Sequence, residues 1–303
     1  MTCKIERIVA RAMIVPLLCS ALVAQVQRGT HSPAKTKAYR FDTMDYPGAF
    51  ISDVLDVNTA DKKAVGVFYS HASADGGTAF IFKGSTYTIL QVPGAVWSGL
   101  WGINLSDEMV GYEVDSQSRY HGFLDSGGTF TFLDYPGAEF TYALGINDAG
   151  LVVGEYGDSG GFHGFLYDHD HETYSAIDYP GANFGTWASG INSAGEIVGQ
   201  WEYFDGSLNH QHGFLLKGGT FTSLDFPGAL GTNAVGINDA GEIAGSYADA
   251  NDVFHGFTYS DGVWKTVDVP GAKYSGLTRI KNNGQLTGQF YDAFSEEHGI
   301  LAH

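Results

Sequence analysis

The sequence predicts an all-β fold, a six-bladed β-propeller with four antiparallel strands per blade. Three observations lead there. The phrase Pro-Gly-Ala recurs at Pro47, Pro93, Pro136, Pro180, Pro227 and Pro270, in steps of 46, 43, 44, 47 and 43 residues; self-similarity at such a period marks a stack of one repeated unit. Each repeat holds four short runs rich in aromatic and β-branched residues, bounded by Gly, Asp, Asn or Pro, which is the pattern of strands separated by turns. No stretch of the mature chain keeps a 3.6-residue apolar period over three turns, so almost no helix is expected.

Residues 141–182 show the elements in order. A first strand is expected in Thr141–Asn147, a second in Leu151–Tyr156, a third from His163 to Leu166 and a fourth from Tyr174 to Tyr179, followed by Pro180-Gly-Ala182. Between the first two strands, Asn147-Asp-Ala-Gly150 reads as a tight hairpin, as do Asn192-Ser-Ala-Gly195 and Asn238-Asp-Ala-Gly241. Asn or Asp starts such a turn and Gly takes its left-handed position. Pro-Gly suits the centre of a type II turn, where Pro presets φ and Gly accepts φ > 0. Four strands per ~40–50 residues, repeated radially, is the propeller plan.

The ends argue for closure. Phe41 to Ala49 matches only the fourth strand and turn of a repeat, as in Phe221 to Ala229, whereas the last repeat stops after its third strand at His298–Leu301. The N-terminal strand is therefore expected to complete the last blade and hide its open edge.

These phrases resemble the bacterial extracellular repeats called the HAF family, named for a His-Ala-Phe triplet. The triplet stands here as His121-Gly-Phe, His163-Gly-Phe, His212-Gly-Phe, His255-Gly-Phe and His298-Gly-Ile, with Gly-Ile-Asn at 102–104, 145–147, 190–192 and 236–238. The resemblance covers roughly residues 38–303 and departs in the first repeat (Thr78-Ala-Phe80, Asp56-Val-Asn58) and the last (Arg279-Ile-Lys281). It implies secretion and a propeller-like repeat, and it supplies no catalytic residue to carry over.

Residues 1–24 read as a signal peptide. Lys4, Arg7 and Arg11 precede the short apolar run Ala12–Ala24, which Pro16 interrupts, so export is preferred to a spanning helix. Residues 25–37 read as a linker and 38–303 as one propeller domain. Both cysteines, Cys3 and Cys19, fall in the signal, leaving neither a disulfide nor a thiol nucleophile. The formal charge of −18 becomes about −20 once the signal, with three basic residues and one acidic, is removed. Nucleic acid and anionic membranes would be repelled. A secreted or periplasmic monomer is expected.

A residue repeated in every blade serves the blade first. The five histidines are read as bonding a neighbouring strand or loop, Asn104, Asn147, Asn192 and Asn238 as capping turns, and Asp134, Asp178, Asp225 and Asp268 as belonging to the Pro-Gly turn. Gly-x-x-x-Asp follows the second strand at Gly111/Asp115, Gly154/Asp158, Gly245/Asp249 and Gly288/Asp292; an Asx turn is preferred, with Ca²⁺ as the minor alternative and no cofactor otherwise. Asp168-His-Asp-His-Glu172 reads as a solvated hairpin tip before an opportunistic metal site.

Function belongs where repeats disagree. The loops joining strand four to strand one carry Phe50, Trp97, Phe140, Phe184, Trp187 and Tyr274; those joining two to three carry His71, Glu113, Arg119, Glu202, Tyr203, Asp205, Asn209, His210, Glu296 and Glu297. Both sets emerge on one propeller face, with Trp101 and Trp201 near the same rim. Aromatic platforms beside carboxylates suit a sugar. The expected ligand site is Trp97, Trp101, Trp187 and Trp201 with Glu113, Glu155, Glu202 and Arg279; Arg279 and Lys281 suit an anionic ligand if they face the channel, and the plainer reading of the two is an internal ion pair with their acidic surroundings. Trp264, in a fourth strand, is expected to pack. The leading reading is a binding module for a carbohydrate or cell-surface polymer. The alternatives are a glycoside hydrolase or polysaccharide lyase, which needs two carboxylates converging at ~5–10 Å, and a structural surface protein without a small ligand.

Overall fold

The computed structural model describes residues 39–70 and 76–303. The expected signal peptide, the linker and His71 lie outside the described residues. β1 (Phe41–Thr43) precedes repeat one, formed by β2 (Ile51–Asn58), β3 (Lys63–Tyr69), β4 (Thr78–Lys83) and β5 (Thr86–Ile89). Repeat two is β6 (Ala95–Ile103), β7 (Met109–Asp115), β8 (Tyr120–Ser126) and β9 (Thr129–Leu133). Repeat three is β10 (Phe140–Ile146), β11 (Leu151–Asp158), β12 (Gly161–Asp168) and β13 (Thr173–Ile177). Repeat four is β14 (Gly185–Ile191), β15 (Ile197–Phe204), β16 (Asn209–Lys217) and β17 (Thr220–Leu224). Repeat five is β18 (Gly231–Ile237), β19 (Ile243–Ala248), β20 (Phe254–Ser260) and β21 (Val263–Thr266). Repeat six is β22 (Tyr274–Ile280), β23 (Leu286–Tyr291) and β24 (Glu297–Ala302).

Within each repeat consecutive strands pair antiparallel. The described residues contain no helix. β1 lies antiparallel on β24, with Phe41 opposite Ala302 and Thr43 opposite Ile300. Arg40 and His303 exchange backbone bonds beyond it.

The turn chemistry holds in detail. In Tyr46-Pro-Gly-Ala49, Gly48 has φ 81° and the Ala49 amide donates to Tyr46 O at 3.0 Å, as a type II turn requires. The residue before Pro is then tied to the next first strand: the Tyr46, Tyr135, Tyr179 and Phe226 amides donate to Ser52, Thr141, Thr186 and Thr232 hydroxyls.

The core lies between neighbouring repeats. Val110, Leu124 and Leu133 of repeat two join Ala143, Ile146, Val152 and Phe165 of repeat three in one buried cluster. The Phe of His-Gly-Phe is its anchor: Phe123, Phe165, Phe214 and Phe257 are fully buried, each worth roughly 1.5–3 kcal/mol of apolar burial. Its ring fits because the facing second-strand residue is Gly; a Cβ on Gly154 would lie 2.8 Å from the Phe165 ring.

The Gly of Gly-Ile-Asn answers a second close approach. First strands bulge just before it, between Ala143 and Gly145 and between Ala188 and Gly190. A Cβ on Gly145 would lie 2.8 Å from Ser189 O, and one on Gly190 would lie 2.5 Å from Val235 O. Successive first strands therefore touch backbone to backbone around a narrow axis. Gly190→Ala is expected to cost about 1–3 kcal/mol by overpacking, read as a lower midpoint in denaturant; an unchanged midpoint would refute the close contact.

Candidate functional site

Around the axis, the first-to-second strand turns are tied one to the next. Asn104, Asn147, Asn192 and Asn238 each donate from Nδ2 to a backbone carbonyl of the next repeat, those of Asn147, Asn192, Asn238 and Lys281, at 3.0–3.3 Å. Each Oδ1 meanwhile accepts amides of its own turn, as Asn147 does from Ala149 and Leu151. In repeat one, Asn58 reaches Asp107 Oδ1 at 2.7 Å. One residue type thus caps its hairpin and links it to its neighbour.

Repeats six and one replace that pattern with charge. Lys281 Nζ stands 2.6 Å from Asp56 Oδ1, and Arg279 Nε 3.7 Å from Asp56 Oδ2. All four terminal N–H groups of Arg279 donate to backbone carbonyls, Val235, Thr278, Trp101 and Leu144, from four repeats. Burial pulls the Arg279 pKa below its ordinary value, and Asp56 opposes that pull. Arg279 is therefore spent on the channel itself and offers no terminal N–H to an anionic ligand. Beside it opens a cavity of about 100 Å³ lined from all six repeats, Asp56, Asn104, Asn147, Asn192, Asn238 and Lys281 among them.

The opposite face holds the other residues singled out in the sequence, and it places them unevenly. Trp201 is a packing residue. The aromatic before Pro-Gly stacks on a second-strand ring, Tyr46 on Phe68 at 3.7 Å, Tyr135 on Tyr156 at 3.6 Å and Phe226 on Tyr247 at 3.6 Å; Tyr179 stacks on Trp201 at 4.2 Å in the same way. Trp187 is only 8% exposed and lies against Phe162 at 5.6 Å. Trp97 and Trp101 are half-buried and meet on one ring, Tyr112, edge-on and stacked respectively. Trp264 packs on Phe226 and Phe257, as its position in the repeat suggested.

The exposed rings are others. Phe50, Phe184, Tyr203, Phe204 and Phe294 keep 41–86% of their surface. Phe184 and Phe204 stand on neighbouring loops: Asn183 donates to Phe204 O at 3.0 Å and accepts from the Phe204 amide at 2.7 Å, which locks the β15–β16 hairpin to the turn before β14. Phe204, Phe294 and Leu208 were not among the expected contacts. Their signal was present, as large apolar residues (Phe204, Leu208, Phe294) in the second-to-third strand hairpins of repeats four and six.

Of the three glutamates, Glu113 and Glu155 are buried and Glu202 half-buried. Burial alone pushes the Glu155 carboxyl up to about 8 and Glu202 up to about 7. Glu113 is raised chiefly by burial. Two carboxyls from different repeats, Asp53 and Glu297, converge, brought together by the parallel contact of Ile51 with Glu297. Asp53 is raised well above its ordinary value by burial, then by the charge of Glu297 and their shared hydrogen bond. Glu297 also accepts from Tyr291 OH at 2.6 Å. A directly bonded pair leaves no gap of the size glycoside hydrolysis needs.

Every repeated histidine is clamped. Nδ1 of His121, His163, His212, His255 and His298 meets Asp134, Asp178, Asp225, Asp268 and Asp45 at 2.7–2.8 Å. In His121, His163, His255 and His298, Nε2 faces the Asp of the second-to-third strand hairpin, Asp115, Asp158, Asp249 or Asp292, at 3.5–4.0 Å. That hairpin Asp caps its own loop, Asp115 accepting from the Gln117 and Arg119 amides.

No protein-family model matches this sequence, and no curated protein does. Solved structures share the architecture. TolB from Acinetobacter baumannii superposes with TM-score 0.55 at 11% identity, over 80% of this chain and 63% of its own length. The propeller domain of the Trilobed protease from Pyrococcus furiosus gives 0.51 at 13%, over 80% of each. The Aleuria aurantia lectin, solved with Fucα1-6GlcNAc, gives 0.52 at 10%, over 83% of this chain and 92% of that one. The chain is a β-propeller, all-β and built of four-stranded antiparallel sheets; among the described residues no helix is long and apolar enough to cross a membrane.

The raised carboxyls set a pH dependence. Glu155 is neutral in the folded protein up to about pH 8, whereas unfolded it ionises near its ordinary 4.5. Its contribution is complete below the unfolded value and is lost as pH rises through the folded one. Stability is expected to fall between pH 5 and pH 8, on the order of 4 kcal/mol from Glu155. Glu155→Gln should flatten that slope in urea titrations; an equally steep slope in the variant would count against the assignment.

Proposed function

We propose that this chain is a secreted, monomeric member of the HAF-repeat proteins, a six-bladed propeller closed by β1 in its last blade, and that it binds a carbohydrate or cell-surface polymer on the face of its variable loops. The observation that carries the reading is the locked β15–β16 hairpin of repeat four and the exposed aromatic residues on and beside it. Phe184, Tyr203 and Phe204 are each exposed at this hairpin and the turn beside it, whose backbones the reciprocal Asn183–Phe204 bonds join, and Phe184 is backed by Phe162, stacked, and Trp187, tilted. Rigid rings lose little freedom on binding and stack on the apolar face of a sugar. Glu202, Asp205 and Asn209 stand on the same hairpin to meet hydroxyls.

Three further points support it. The net charge of −18 favours a neutral or basic ligand over an anionic one. A protein of the same fold, the Aleuria aurantia lectin, is solved with a fucosylated disaccharide. Asp53 and Glu297, the carboxyls that meet between repeats one and six, share a hydrogen bond, so that pair does not fit the separated carboxylates of a hydrolase. The tryptophans contribute as support for this surface, with Trp187 beneath Phe184.

The test is a neutral-glycan array probed with the mature protein, followed by Phe184→Ala and Phe204→Ala on any ligand found. Each variant is expected to weaken binding about tenfold with an unchanged melting temperature. Binding that survives both substitutions would move the site elsewhere, and an array with no ligand would overturn the sugar reading.

A further inference from the structure

The hairpin between the second and third strands is built to one plan in three repeats. Asp115-x-x-x-Arg119-x-His121, Asp249-x-x-x-Val253-x-His255 and Asp292-x-x-x-Glu296-x-His298 share one spacing. The backbone superposes in function as well: the amides of Arg119, Val253 and Glu296 each donate to their own Asp Oδ1 at 2.9 Å. The variable position therefore projects from the same point of the same loop. What stands there, beside an Asp and a His, is a cation in repeat two, an apolar side chain in repeat five and an anion in repeat six.

In repeat two that charge is positive. Arg119 closes on Asp115 Oδ2 at 2.6 Å from Nη2 and 2.8 Å from Nε. In repeat six Glu296 puts a second carboxylate where repeat two has a guanidinium. Asp292, Glu296 and His298 each offer a ligand atom, and these atoms lie within 4.8 Å of one another. His298 is oriented for coordination: its Nδ1 is held by Asp45 at 2.8 Å, so that Nε2 turns toward Asp292 at 4.0 Å. A carboxylate fixing the far nitrogen of a ligating histidine is the usual outer-shell arrangement of metal sites. Lys273 is the basic group nearby, and it is drawn to Ser295 Oγ at 2.9 Å.

We propose that Asp292, Glu296 and His298 bind one divalent transition-metal ion of the Zn²⁺ class, with Asp45 orienting the histidine and water completing the coordination. One imidazole and two carboxylates suit Zn²⁺ and its neighbours, whereas Ca²⁺ takes oxygen ligands. The ion stands where repeat two carries its own cation. Because Asp45 lies between β1 and β2 while Glu296 and His298 flank the start of β24, the ion fastens the N-terminal segment to the last repeat.

The test titrates Zn²⁺ into the full chain by calorimetry at neutral pH, with Ca²⁺ as the comparison cation. One Zn²⁺ per chain is expected, with a Zn²⁺-dependent rise in melting temperature and no matching effect of Ca²⁺. Glu296→Arg should rebuild the pair of repeat two, abolish Zn²⁺ binding and leave a fold that melts cooperatively without metal. Glu296→Gln should weaken binding at least tenfold. His171→Ala and His210→Ala, which remove histidines paired to Asp168 and Asp205 elsewhere, should keep it. No Zn²⁺ binding below millimolar concentration, undiminished binding by Glu296→Arg, or loss of binding in His171→Ala or His210→Ala would overturn the proposal.

Discussion

The narrowness of the central axis governs this molecule. First strands approach until a single Cβ on Gly145 or Gly190 would meet the neighbour's backbone, which fixes Gly at that point of the sequence. Strands this close leave carbonyls facing the axis, and a buried carbonyl without a partner is costly. Side chains meet the need in turn. Asn at the end of the first strand donates to the next repeat in repeats one to five, and Arg279 fills the axis with one planar group that satisfies four carbonyls at once. Arginine suits this place because its guanidinium stays charged and presents several donors in a fixed plane. Burying it would be prohibitive alone; Asp56 and the carbonyls compensate.

Away from the axis the repeat is held by small interactions used several times. A His–Asp clamp, a stacked aromatic pair and a hydroxyl that accepts the amide before Pro each contribute modestly and are partly exposed. Repetition gives them weight, and it also explains their invariance along the chain. The clamp of repeat six shows the logic: His298 takes its Asp from residue 45, so the bond that is local elsewhere joins the two ends of the chain.

Much of this was legible in the sequence because the repeat prints it six times. Pro-Gly-Ala predicted a type II turn, Gly-Ile-Asn a capped hairpin, and the terminal fragments the pairing of β1 with β24. The site was less legible. Tryptophan in a variable region reads as a platform, yet Trp201 fills the slot that Tyr156 and Tyr247 fill in other repeats. Aligning the second strands on their Gly would have revealed that. The exposed cluster at Phe184 and Phe204 depends on Asn183 bonding across two loops, and no period encodes a contact between loops. Asp53 and Glu297 meet through a parallel contact between the first and last repeats, a proximity that sequence separation hides.

The exceptions gather where repeat six meets repeat one, and a reason lies in the repetition itself. Apolar faces shared by every repeat cannot distinguish the correct junction from one displaced by a whole unit. Groups found at one junction can. Here the Gly contact and the Asn link give way to Arg279 and Lys281 on Asp56, to Thr278 and Thr287 hydroxyls on the carbonyls of Val54 and Leu55, and to Asp53 on Glu297. These are directional, buried and costly to leave unmade. A slipped arrangement would strand Arg279 and Asp56 apart in a low-dielectric interior, a penalty of several kcal/mol. The polar junction therefore selects one assembly from a sequence whose hydrophobic pattern alone would accept several.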